Sequence, residues 1–172
     1  MKQIKDEMTI FLKADEIAKL VAKLADKIES DYEGKEIIFI CPLRGSIHFA
    51  PDLMRKIDLH QQIDFVSVQA TEKGGALRMV KDISVNIADK DVIIIEEVID
   101  TARTLSFLRD RLIASRPKSL KIVTLLDKPA RRELPIRADY IGKTIEDRYV
   151  VGYGMDSEEK GRNYADIYVL KN

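Results

Sequence analysis

An α/β fold with a mostly parallel sheet flanked by helices is what this sequence predicts, on three observations. Short apolar, β-branched runs alternate with amphipathic helical stretches along the chain. Its 172 residues suffice for a single domain, 1–172, with a three-layer core, and are too few for two full domains. Apolar residues make up 45% of the chain, enough to fill such a core.

Each element can be read in turn. Residues 13–30 set Ile17, Leu20, Val21, Leu24 and Ile28 at helical spacing with charges between them, the pattern of an amphipathic surface helix. Gly34 then punctuates the chain, and Glu36 to Cys41 read as a short buried strand. Residues 46–57 return to a helical pattern that carries Phe49, Leu53, Met54 and Ile57. Ile63 to Val68 is the next strand, and the polar TEKGGA at 71–76 reads as a hairpin or loop leading into Leu77 to Val80. Val92 to Ile95, four β-branched residues in succession, is the strongest strand, and it ends in the adjacent carboxylates Glu96 and Glu97. A helix over 104–115, a turn at Pro117 and a strand from Leu120 to Leu125 follow. Tyr140 to Ile145 and Tyr149 to Val151 read as two strands placed to pair, and Ile167 to Leu170 as a last short one. Ligands of such folds sit beyond the carboxyl ends of the parallel strands, where the acidic and glycine-containing segments fall here.

Composition removes several classes of function. Lys plus Arg number 29 and Asp plus Glu number 29, so the chain has no net positive field. With no dense basic block and only 6% aromatics, no nucleic-acid partner is expected. The lone Cys41 ends an apolar run and reads as a core thiol, and neither His48 nor His60 has a metal-ligand partner at a convincing spacing. No run approaches the roughly 20 apolar residues of a membrane span, so a cytoplasmic protein without a membrane partner is expected.

The sharpest motif is IIIEEVIDTARTL, residues 93–105. Asp100, Thr101, Ala102, Arg103 and Thr104 place backbone N–H groups and two hydroxyls about a helix N-terminus, which suits a phosphate. The carboxylates beside it suit ribose hydroxyls or a Mg²⁺ held through substrate oxygens. Plain helix capping by Asp100 and Thr101, with Glu96 and Glu97 solvated, is the alternative. Capping leaves unexplained why two carboxylates close the most apolar strand. Neither a P-loop nor a dinucleotide fingerprint occurs.

The stretch EEVIDTARTL resembles the phosphoribosylpyrophosphate-binding motif of the type I phosphoribosyltransferases, in particular the hypoxanthine-guanine phosphoribosyltransferases. PLRGSIHFAPDLMRKI at 42–57, SLKIVTLLDKPARR at 119–132 and RYVVGYGMDSEEKGRN at 148–163 are similar to further segments of that family, in the family order. The resemblance implies a small hood formed by the terminal segments over the sheet, and a homodimer or homotetramer. It implies Glu96 and Glu97 on the ribose hydroxyls, Asp100 at purine N7 as general acid/base, and Thr101, Ala102, Arg103 and Thr104 around the 5′-phosphate. Arg44, Gly45 and Arg162 would hold pyrophosphate, with a cis bond before Arg44. Lys128 would read the 6-oxo group, Tyr149 would stack on the base, and the Val150 carbonyl would read the ring edge. Asp156 would bind Mg²⁺, with Glu96 and Glu97 acting on it indirectly through the ribose. Apart from the resemblance, Lys128 and Arg162 serve equally as surface charges and Tyr149 as a core aromatic.

The chain departs from the family pattern at four places. Glu97 stands for the usual Asp, Ala102 for Gly and Arg44 for Lys, and VQATEKGGALRMVKD is shorter than the family's mobile loop and lacks its Ser-Tyr pair. The leading expectation is transfer of the phosphoribosyl group of 5-phosphoribosyl-1-pyrophosphate to hypoxanthine or guanine in purine salvage. A nucleotide-binding regulatory protein and a transferase for another heterocycle are the other two readings.

Overall fold

A computed structural model of the chain describes residues 7–71 and 75–170. Among the described residues nine strands and three helices of more than one turn succeed each other: β1 (Met8–Leu12), α1 (Ala14–Asp31), β2 (Glu36–Pro42), α2 (Phe49–Met54), β3 (His60–Ala70), β4 (Leu77–Lys81), β5 (Asp91–Ile99), α3 (Arg103–Ile113), β6 (Ser119–Asp127), β7 (Tyr140–Thr144), β8 (Val150–Val151) and β9 (Ile167–Leu170). Six strands form the main sheet in the order β4-β3-β2-β5-β6-β7. Its ladders are parallel except at β3–β4, where an antiparallel hairpin closes one edge.

Alternation along the central strands decides the layering. Ile37, Phe39 and Cys41 of β2 and Ile93 and Ile95 of β5 join Ile17, Val21, Leu24 and Ile28 of α1 and Phe49 and Leu53 of α2 in one buried cluster. Ile38, Ile40, Val92 and Ile94 join Leu105, Leu108 and Leu112 of α3 in the other. Both faces of the sheet are therefore covered, as the unbroken apolar runs require. Cys41 is fully buried, and burial pushes its thiol pKa up, away from reactivity.

The second sheet, β1-β9-β8, is antiparallel and forms the hood. Met8 of β1 pairs with Leu170 of β9, and Val150 of β8 pairs with Val169. The hood is anchored to α1, where the Ala14 N–H donates to the Asp166 carboxylate at 2.8 Å.

Three sequence readings need correction. The pattern over 46–57 is not one helix: a 3₁₀ turn over Gly45–Ile47 precedes α2, which stops at Met54. Tyr140 to Ile145 and Tyr149 to Val151 do not pair, because β7 joins the main sheet beside β6 while β8 belongs to the hood. The central strand does not end at Glu96 and Glu97. It runs on to Ile99, with Val98 paired to Leu126 and Ile99 to Asp127, because β6 offers ladder partners that far. The TEKGGA segment joins β3 to β4, and Thr71 N–H donates to the Ala76 carbonyl at 2.7 Å; residues 72–74 lie outside the described residues. Among the described residues no helix is long and apolar enough to cross a membrane.

Candidate active site

At the carboxyl end of β2 and β5 lies a cleft of about 280 Å³ lined by Pro42–Gly45, Glu96–Leu105 and Arg162. It brings together the residues expected to meet ribose, 5′-phosphate and pyrophosphate, from three segments distant in sequence. A parallel sheet makes this possible by ending neighbouring strands on the same side.

β5 delivers the acids. Glu96 is buried and its carboxyl pKa is pushed up, first by that burial and then by the charge of Glu97. Glu97 is raised to about 7, chiefly by burial, with its own backbone N–H and Arg162 drawing it back down and Asp156 adding to the rise. Its carboxyl lies so close to Gly45 that a Cβ at residue 45 would overlap it. The extra methylene of glutamate thus carries the acid across the cleft to the turn after β2. The Leu43–Arg44 peptide within that turn is cis.

The helix N-terminus expected to receive phosphate is formed by Ala102 and α3. Ala102 has φ 67°, ψ 11°, a left-handed conformation that suits glycine better by about 1 kcal/mol. Its methyl is buried in the cluster around α3, and that packing offsets the backbone cost. The Thr101 hydroxyl accepts from the Arg103 N–H at 3.4 Å, and Arg103 pairs with Glu133 at 2.5 Å.

Asp100 follows β5 directly. Its Oδ2 is 3.7 Å from Nζ of Lys128, a lysine only 5% exposed, so the residue expected to read the base adjoins the residue expected at N7. Lys128 is held by its backbone N–H, which donates to the Ile99 carbonyl at 3.0 Å. From the hood the cleft receives Arg162, whereas Lys128, Tyr149, Val150 and Asp156 lie outside its lining. Tyr149 is half exposed and its hydroxyl donates to the Asp156 carbonyl at 3.0 Å, while Val150 is buried in β8. The Asp156 carboxylate is 2.8 Å from Arg162 Nη2, and Arg162 Nη1 donates to the Gly154 carbonyl at 2.9 Å.

Sequence reasoning missed several participants. Glu159 ion-pairs with Arg44 at 2.6 Å and with Arg162 at 3.3 Å, so one carboxylate bridges both arginines expected to hold pyrophosphate. Gly154 packs directly on the Gly45 carbonyl. Arg131 and Arg132 both bond to Asp100. A doubled arginine and an acidic turn read as solvated surface, and only their proximity to other segments gives them a place here.

Residues 8–158 match the family model described as a phosphoribosyl transferase domain. The hypoxanthine-guanine phosphoribosyltransferase of Staphylococcus aureus (strain Mu50) is 40% identical over 170 residues, covering 96% of this chain and 95% of that protein. A crystal structure of a hypoxanthine-guanine phosphoribosyltransferase from Bacillus anthracis, with a HEPES molecule in its active site, superposes with a TM-score of 0.91 at 43% identity, covering 96% of this chain and 99% of that one. The bifunctional protein TilS/HprT of Listeria innocua is 37% identical over 170 residues, but the chain spans only 26% of that longer protein. The chain belongs to the phosphoribosyltransferase family, in its hypoxanthine-guanine branch.

Proposed function

We propose that this chain transfers the 5-phosphoribosyl group of 5-phosphoribosyl-1-pyrophosphate to N9 of hypoxanthine or guanine and releases pyrophosphate, acting in purine salvage as one domain. The observation that carries this reading is the junction of Asp100 with Lys128 at 3.7 Å beside the acid- and arginine-lined cleft. In this reading the base-reading and sugar-binding groups would adjoin, as transfer of a sugar to a base requires.

In this reading the purine nitrogen attacks C1 as the C1–O bond to pyrophosphate breaks, the leaving group taking the electron pair. Arg44 and Arg162 stabilise the charge gathering on pyrophosphate, and the N–H groups of Thr101 to Thr104 anchor the 5′-phosphate so that C1 is held against the base. Asp100 accepts from N7–H and steadies the positive charge that grows on the ring. Lys128 donates to a 6-oxo group; adenine would oppose it with an amine, and the mismatch selects oxopurines. Tyr149 stacks on the ring, and the Val150 carbonyl meets its edge.

Among the described residues no group of three or more His, Cys, Asp or Glu is arranged to hold a metal ion. Mg²⁺ usually keeps several waters and takes one or two carboxylates together with substrate phosphate oxygens. Asp156 would hold it directly, with Glu96 and Glu97 contributing through the ribose hydroxyls. The ion would neutralise pyrophosphate as it leaves. Assembly as a homodimer or homotetramer in the cytoplasm, with no nucleic-acid or membrane partner, belongs to the same proposal.

Steady-state turnover with phosphoribosylpyrophosphate and Mg²⁺ against hypoxanthine, guanine, xanthine and adenine is the test, following nucleotide and pyrophosphate together. The expected result is turnover with 6-oxopurines and little with adenine. Lys128→Met should lower kcat/KM for hypoxanthine by about tenfold or more, the cost of losing a hydrogen bond from a charged group. Folded protein that turns over none of the four bases would overturn the reading.

A further inference from the structure

We propose that Arg131 and Arg132 are positioning residues that pin Asp100 at both ends, Arg131 holding its carboxylate and Arg132 its backbone carbonyl. The inference rests on the placement of Asp100 at the base in the function proposed above.

Arg131 Nε donates to Asp100 Oδ1 at 3.1 Å, while Lys128 stands on the other oxygen, Oδ2. The two carboxylate oxygens are thus addressed by different cations, which fixes the rotation of the group as well as its place. The same Arg131 nitrogen is 3.6 Å from Oδ1 of Asp147, two residues before Tyr149. One guanidinium therefore ties the end of β5 to the approach of the wall expected to stack on the base.

Arg132 is fastened differently. Its side chain is 14% exposed and pairs closely with Asp127, whose side chain is 11% exposed, at the end of β6. From there Nη1 donates to the Asp100 carbonyl at 3.2 Å. Backbone bonds flank this contact, from Lys128 N–H to the Ile99 carbonyl at 3.0 Å and from Glu133 N–H to the Thr101 carbonyl at 3.1 Å. The segment 128–133 thus runs alongside 99–101 as a splint.

The chemistry requires such support. Asp100 lies just past the end of a strand, and Ala102 turns left-handed two residues later, so no ladder or helix holds residue 100 itself. A misplacement of about 1 Å in a reacting group can cost about 100-fold in rate. Arg131 and Asp100 are both nearly half exposed, and exposed ion pairs contribute little to stability. The signature of Arg131 is therefore a change in rate without a change in melting temperature.

A double-mutant cycle in the full chain tests this, using Arg131→Gln, Asp100→Asn and the pair, with Arg131→Lys as the conservative variant. Arg131→Gln is expected to lower kcat with hypoxanthine by about tenfold, leave the KM for phosphoribosylpyrophosphate unchanged, and recover in part as Arg131→Lys. With Asn at 100 the same change should shift kcat by less than about twofold, because the residue through which Arg131 acts has already been altered. An equal loss in both backgrounds, or wild-type kcat in R131Q, overturns the inference and leaves the proposed function standing. A folded wild-type chain that turns over no purine overturns the proposed function and this inference with it. Since Arg132→Gln strips a buried partner from Asp127 and can fail to fold, the cycle is built on Arg131.

Discussion

Replacing Asp100 by alanine is expected to lower kcat with hypoxanthine or guanine by about 100-fold or more, the usual loss when a positioned acid/base group is removed. Asp100 lies between Lys128 and Arg131, and its loss leaves these two cations without the anion they share. Binding of phosphoribosylpyrophosphate should survive, because the arginines and the helix N-terminus that would receive it are untouched. The measurement is single-turnover chemistry on enzyme pre-loaded with phosphoribosylpyrophosphate, alongside its dissociation constant. Unchanged single-turnover chemistry would remove Asp100 from the reaction.

Gly154→Ala is expected to damage both stability and pyrophosphate binding. Gly154 has φ 103°, and a Cβ there would overlap the carbonyl oxygen of Gly45, a backbone atom that can move only by shifting the turn after β2. Backbone strain and overpacking each cost about 1–3 kcal/mol. At about 2–4 °C per kcal/mol for a chain of this size, a total near 3 kcal/mol lowers the melting temperature by about 6–12 °C. Displacing Gly45 also moves Arg44 and the surface against Glu97, so the dissociation constant for pyrophosphate should rise about tenfold, a loss of about 1.4 kcal/mol. Thermal unfolding and calorimetric titration with pyrophosphate check the two effects separately. A Gly154→Ala chain with wild-type melting and binding would show that the Gly45–Gly154 contact is slack.

Local pattern revealed what local forces decide. The helix over 13–30 was readable because Ile17, Val21, Leu24 and Ile28 meet the sheet on one stripe, and β5 was readable because Val92 to Ile95 are buried on both faces. β1 was missed: Met8 to Leu12 alternate weakly, and their partner β9 lies at the far end of the chain. The assignment of β8 beside β7 failed for the same reason, since two valines carry no information about which sheet they join. At the site, the resemblance named Arg44, Glu97 and Arg162, and the fold sets them around one cleft. Sequence spacing could not show that Glu97 reaches Gly45, that Gly154 rests on it, or that Glu159 bridges two arginines, because each is a contact between segments remote in sequence.

The pairing of β1 with β9 has a consequence for the order in which the molecule assembles. The ladders β2–β3, β5–β6 and β6–β7 join strands close along the chain, whereas Met8 finds Leu170 only after nearly the whole chain has been gathered. Closing so long a loop is entropically the costliest step, and such non-local pairings are rewarded last. The hood is therefore expected to dock late and to open early, carrying Tyr149, Asp156 and Arg162 with it. In gentle denaturant the wall expected to hold the base and pyrophosphate should come away while the main sheet stands. Activity would then vanish at a lower urea concentration than far-ultraviolet circular dichroism, and coincident transitions would show the hood and sheet to be one cooperative unit.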